Sequence, residues 1–325
     1  MKKVVVIGAG NIGSRHLQAL ANVKECLEIY VVEPNVEAMD LSEARFLQID
    51  GCFKHKFIRC KSISELPEKI DLATISTSSG PRLKVLEELT ENKEISNLVL
   101  EKFLFTDEQS FYRAKEIIDK KKIKAWVNNP RRAYSFYKKL RDYLSDSKYV
   151  SMNEIGGKWG LACNGIHEFD LFSMLQGDLQ EYSIDSSGLD DKIYDSKRTG
   201  YSEFNGTIEI KSKKGTAIIT CFADIDYPTV KSIRTDKGIF EICESSDECV
   251  YRVIDNGFET KTIKMEIKPV SVLMTEVYED IISKGTCDLP SYDMSMKLHV
   301  LFLNALLSKQ NIITGDKENK KCQIT

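Results

Sequence analysis

Val4-Val5-Val6-Ile7-Gly8-Ala9-Gly10-Asn11-Ile12-Gly13 decides how the rest of the chain is read. Four apolar residues run straight into G-x-G-x-x-G, and Ser14-Arg15-His16-Leu17-Gln18-Ala19-Leu20 continues with helical character. An unbroken apolar run closed by glycine reads as a strand buried on both faces. Gly8 permits the tight turn out of that strand. Gly10 lets the backbone approach a pyrophosphate, and Gly13 lets the next helix pack close to the strand. Asn11 and Ile12 stand in the first helical turn, where N–H groups and the positive end of the helix face phosphates.

Glycines also serve turns that bind nothing, so the context carries the reading. A second apolar run, Ile29-Tyr30-Val31-Val32, ends in Glu33, twenty residues after Gly13. A carboxylate at that spacing accepts hydrogen bonds from an adenosine ribose. Strand, glycines, helix and acid in this order predict a dinucleotide site. Pro34 and Asn35 follow Glu33, with no arginine to receive a 2′-phosphate, so NAD is expected in preference to NADP.

The length of 325 residues predicts two domains. With 46 Lys+Arg against 49 Asp+Glu, the formal charge of -3 offers nothing to a nucleic acid. The first apolar stretch breaks at Gly8, too soon for a signal peptide, and Val300-Leu301-Phe302-Leu303 is too short to span a bilayer. A cytoplasmic protein with no membrane partner is expected. Nine cysteines without a C-x-x-C and four scattered histidines predict reduced thiols and no metal site.

Up to Val127 the pattern alternates strand and helix, so residues 1–127 are expected to form a doubly wound parallel α/β domain. Asn128-Asn129-Pro130 breaks that pattern. Residues 128–325 then read as an α+β domain with a largely antiparallel open sheet. Its turn signals are Lys213-Lys214-Gly215, Asp236-Lys237-Gly238 and Asp255-Asn256-Gly257, the last being the strongest. Apolar-striped helices near 270–284 and 291–308 are expected to close this second domain.

Ligands of a doubly wound sheet lie beyond the carboxyl ends of its strands. Thr77 and Ser78 follow one predicted strand there, and Glu101-Lys102 ends another. A lysine so placed can stabilise negative charge on a substrate oxygen, and reads equally well as a solvated rim residue. His167 has Asn164 and Asp170 three residues away on either side, a helical spacing that can orient a proton acceptor. A buried structural histidine fits the same residues.

The glycine loop with Arg15-His16, the pair Glu101-Lys102 and Gly165-Ile166-His167-Glu168-Phe169-Asp170 occur together and in order. With Leu289-Pro290-Ser291-Tyr292-Asp293 they make nearly the whole chain resemble the glucose–fructose oxidoreductase / inositol dehydrogenase / MocA (Gfo/Idh/MocA) family. That resemblance implies a Rossmann domain joined to an α+β domain whose open sheet forms homodimers or homotetramers. It also implies hydride transfer between a nicotinamide cofactor and a sugar, sugar phosphate or nucleotide sugar. By position Lys102 and His167 match the family's catalytic lysine and histidine. Lys102, Trp159, Cys163, Asn164 and His167 are then the substrate-side candidates, with Thr77, Ser78, Glu101 and Lys102 beside the cofactor. Two residues depart from the family. Phe103 stands where a proline, often after a cis peptide, is usual, and Cys163 stands where an aspartate is usual. A cofactor-binding regulator with little turnover, or an enzyme that recycles a tightly bound cofactor, remains open.

Overall fold

The computed structural model describes residues 1–178 and 180–325. It begins with β1 (Lys2–Ile7), whose Val4, Val5 and Val6 are fully enclosed, as a strand covered on both faces requires. There follow α1 (Asn11–Asn22), β2 (Leu27–Val32), α2 (Val36–Leu47), β3 (Lys56–Cys60), β4 (Lys69–Ile75), α3 (Ser79–Asn92), β5 (Glu94–Leu100), α4 (Glu108–Lys121) and β6 (Lys124–Val127). The six strands form one parallel sheet in the order β3-β2-β1-β4-β5-β6. Its order reverses beside β1, because β1 pairs with β2 on one side and β4 on the other. A crevice opens at such a reversal, beyond the carboxyl ends of the strands.

The next elements are α5 (Ser135–Tyr143), β7 (Val150–Gly157) and α6 (Leu161–Leu175), then β8 (Ser183–Asp185), β9 (Tyr194–Asp195) and β10 (Ser202–Glu203). After them come β11 (Gly206–Ser212), β12 (Gly215–Phe222), β13 (Val230–Thr235), β14 (Gly238–Cys243), β15 (Glu248–Val253) and β16 (Lys261–Lys264). The second sheet runs β16-β15-β14-β13-β7-β12-β11-β8, antiparallel except where β7 and β12 run parallel. Alternate residues of β7 and β12 are buried and the others half-buried or exposed, so one face of the sheet is covered and the other open. Lys213-Lys214 and Asp236-Lys237 make its tight turns. The Asp255-Asn256-Gly257 signal lies instead in a longer connection between β15 and β16, with Gly257 at φ +70.

The chain divides into two compact units. Residues 1–105, 109–133 and 268–295 form the first, and residues 106–108, 134–267 and 296–325 the second. The last helices, α7 (Val270–Lys284) and α8 (Tyr292–Thr314), therefore part company. α7 lies wholly in the first unit, against α1, where Thr275 Oγ1 donates to the Ala19 carbonyl at 2.9 Å. Its stripe of Leu273, Met274, Val277, Tyr278 and Ile281 is buried, as its pattern predicts. An apolar stripe states that a face will be covered, not by which core, and here the first unit covers it. Among the described residues no helix is long and apolar enough to cross a membrane.

Candidate functional site

The first unit builds a candidate cofactor site from three turns. Gly8, at φ +87, leaves β1 and donates its N–H to the Val32 carbonyl at 2.9 Å. Gly13 sits so close beneath it that a Cβ there would lie 1.8 Å from the Gly8 oxygen, so no larger residue fits. Around Gly10 an added Cβ meets no atom within 4 Å, which is the open approach a pyrophosphate needs. Asn11 and Ile12 open α1 behind it, and Gly10 caps that helix with no side-chain bond. Glu33 Oε2 accepts the Ala9 N–H at 2.8 Å and Oε1 the Asn35 N–H at 3.0 Å. Its carboxylate is thus fixed beside the glycine turn, where ribose hydroxyls of a dinucleotide would meet it. Ser76, which no sequence motif singles out, donates from Oγ to the Gly8 carbonyl at 2.7 Å and locks the β4 turn, with Thr77 and Ser78, to the glycine turn. These donors, the open glycine and the placed carboxylate fit a dinucleotide.

Lys102 leaves the carboxyl end of β5, half-buried, and its peptide to Phe103 is cis. Glu101 turns the other way. Its Oε1 meets His16 Nε2 at 2.8 Å and accepts the Asn128 amide at 2.5 Å. His16 Nδ1 in turn meets the Tyr278 hydroxyl at 2.6 Å, and that hydroxyl meets Thr74 Oγ1 at 3.0 Å. All five side chains are buried. Burial pushes the Glu101 carboxyl up, but the His16 bond and charge, the Asn128 bond and the Arg82 charge outweigh it and hold the group below its ordinary range. Burial drives the Tyr278 hydroxyl well above the ordinary tyrosine range, so it stays protonated. Arg82 on α3, 1% exposed, donates to the carbonyls of Thr77, Phe103 and Leu104. One side chain thereby ties the β4 turn to the segment just after Lys102.

In the second unit, Gly160 at φ +80 leads into α6, the helix of Cys163, Asn164 and His167. Glu203 Oε1 caps it by accepting the Ala162 N–H, and also takes the Phe204 N–H at 3.0 Å. Asn164 Nδ2 donates to the Trp159 carbonyl at 2.7 Å, and Trp159 Nε1 to the Thr220 carbonyl at 3.1 Å. The Cys163 thiol donates to the main-chain oxygen of Thr325. Trp159, Cys163, Asn164 and Thr325 line a pocket of about 350 Å3. His167 stands one helical turn beyond Cys163, half-buried, and is not among the residues lining that pocket. Asp170, expected to share its face, is fully buried.

α6 is pinned from beneath by a charged cluster. Lys231 Nζ on β13 lies 3.0 Å from Glu154, 3.4 Å from Glu168 and 3.2 Å from Glu244. Lys231, Glu154 and Glu168 are each at most 2% exposed. Sequence reading gives Lys231, Glu154 and Glu244 no role, because a lone lysine or glutamate reads as solvent-facing.

Comparison with known proteins accords with this geometry. The sequence model of the oxidoreductase family with an NAD-binding Rossmann fold matches residues 2–129. No curated protein matches the chain. Among solved structures, UDP-N-acetylglucosamine 3-dehydrogenase from Acidithiobacillus ferrooxidans is 11% identical, over 96% of this chain and 99% of its own, with a TM-score of 0.72. An oxidoreductase from Agrobacterium radiobacter, in complex with NAD+, L-tartaric acid and magnesium, is 14% identical over 97% and 99%, with a TM-score of 0.71. The transcriptional regulator Gal80p from Kluyveromyces lactis is 14% identical over 95% and 92%, with a TM-score of 0.70. At such identities the likeness is one of fold, extending over nearly the full chain. Residues 2–129, with their glycine turn, Glu33 and Lys102, thus match the oxidoreductase family's NAD-binding Rossmann fold.

Proposed function

We propose that the chain is an NAD-dependent dehydrogenase or reductase of a sugar or sugar derivative. What carries this reading is the gathering of the Gly8–Gly13 turn, Glu33 and Lys102 at the carboxyl ends of β1, β2 and β5. Bound there, the nicotinamide cofactor supplies hydride transfer. Lys102, anchored through Glu101 and Arg82, stabilises charge on the substrate oxygen as its hydroxyl is oxidised. His167 accepts the hydroxyl proton. Cys163 supplies no carboxylate, so this proposal gives the proton to His167 alone. The protein is proposed to act in the cytoplasm, as a homo-oligomer joined through the open face of the second unit's sheet.

Purified protein incubated with NAD and a panel of sugars, sugar phosphates and nucleotide sugars is expected to form NADH with at least one. Glu33→Ser is expected to narrow the preference for NAD over NADP measured by calorimetry, since a carboxylate repels a 2′-phosphate. Wild type binding NADP as tightly as NAD removes the cofactor assignment. The departures at Phe103 and Cys163 favour one second reading, a cofactor-binding regulator. NAD binding without turnover across the panel selects it.

A further inference from the structure

One carboxylate oxygen at the end of β5 remains outside the network around His16. Both hydrogen bonds of the Glu101 side chain, from His16 Nε2 and from the Asn128 amide, fall on Oε1. Oε2 accepts none among the described residues, while the side chain as a whole is 8% exposed. Glu101 directly follows β5, so that oxygen stands at the carboxyl end of the parallel sheet, the end on which ligands of such a sheet lie.

The groups behind Glu101 come from four separate elements. His16 is on α1, Tyr278 on α7, Thr74 on β4, and Asn128 just past β6. An imidazole and two hydroxyls are costly to bury, and apolar side chains of similar volume would hold these elements together as well or better. Apolar side chains cannot supply the N–H that a buried carboxylate needs. Tyr278 and Thr74 keep that N–H in place. Whether or not His16 Nδ1 carries a hydrogen, the tyrosine hydroxyl can accept from it or donate to it, and Thr74 Oγ1 takes the opposite part. The ring cannot turn without losing its bonds at both nitrogens, so Nε2 stays on Glu101. The Asn128 amide is oriented as well, because a carboxylate only accepts. Glu101 is thereby fixed as an acceptor with one oxygen to spare.

We propose that His16 and Tyr278 are positioning residues that aim Glu101 Oε2 at a hydrogen-bond donor in the nicotinamide–ribose half of the dinucleotide. The donor is the carboxamide N–H or a hydroxyl of the adjoining ribose, either of which a carboxylate binds strongly. This rests on the cofactor of the reading above and not on its substrate. Glu33 and the glycine turn serve the adenosine and pyrophosphate, so the two carboxylates take opposite ends of one ligand.

The test is calorimetry of the full chain with NAD, ADP-ribose and ADP, which differ in how much of the nicotinamide–ribose half they carry. Glu101→Gln is expected to weaken NAD binding about tenfold or more, and Tyr278→Phe, which keeps the ring and removes one oxygen, about threefold. His16→Leu is expected to fall with Glu101→Gln; should it fail to fold, Tyr278→Phe decides. ADP binding is expected to stay within about twofold of wild type in every folded variant. Loss confined to NAD assigns the carboxamide, and loss shared by NAD and ADP-ribose assigns the ribose hydroxyl; both support the proposal. ADP weakened as much as NAD means that the network only holds the fold, and overturns it. So does NAD binding at wild-type strength in Tyr278→Phe and His16→Leu, whatever Glu101→Gln does. Selective loss of NAD binding with no turnover on any sugar keeps this inference and removes the enzyme. NADH formation without that selective loss does the reverse.

Discussion

The first unit buries the polar groups that support its site, whereas the second unit rings its pocket with exposed charges of both signs. Asn128, Glu101, His16, Tyr278 and Thr74 form one continuous line of bonds, and Arg82 donates to three carbonyls. Lys158, Asp195, Lys197 and Arg198, by contrast, stand exposed around the second unit's pocket. Groups paired within the protein hold geometry and gain little from a ligand. Charges left half in water are available for recognition. The difference separates a buried polar scaffold from a solvated pocket rim.

The largest effect is expected at the two residues proposed to act on the substrate. His167→Asn and Lys102→Ala are each predicted to lower kcat about 10²–10⁴-fold while NAD affinity, measured by calorimetry, stays nearly unchanged. A near-wild-type rate in either variant takes that residue out of the mechanism.

Next comes the committed network. Glu101→Leu is predicted to lower unfolding free energy by about 3–5 kcal/mol, because it strips the partner from a buried His16. Since the folded Glu101 carboxyl lies below its ordinary value of 4.5, its ionised form stabilises the folded chain. That contribution is complete above the unfolded value and is lost as pH falls through the folded one. Denaturant melts taken down the acid limb should therefore show a shallower fall in Glu101→Gln than in wild type. Equal slopes would mean that Glu101 is not held ionised by its partners.

The smallest effect is expected at the pocket's one committed thiol. Cys163→Ala removes a single donor to Thr325 and is predicted to cost about 0.5–1.5 kcal/mol, with Cys163→Ser falling between it and wild type. A loss several times larger would place the Cys163–Thr325 contact with the rigid network instead of the adaptable pocket.

By itself the sequence determined whatever depends on neighbours along the chain. The apolar run into Gly8, the spacing to Gly13 and the acid at Glu33 were legible because turn, phosphate approach and helix packing are decided within a few residues. The stripes of α6 and α7 were legible for the same reason. The antiparallel character of the second sheet followed from short runs separated by turn residues, such as Lys213-Lys214.

Tertiary structure alone decided which distant groups meet. His16 finds Glu101 across 85 positions and Tyr278 across 262, and only the packing of α7 on α1 makes the second meeting possible. Arg82 and Lys231 read as surface residues because their types are normally solvated, and burial is permitted only by partners from other strands and turns. Arg198 acquires its anchor from Thr325, 127 positions away. A hydrogen bond or ion pair depends on separation in space, which periodicity and composition do not encode.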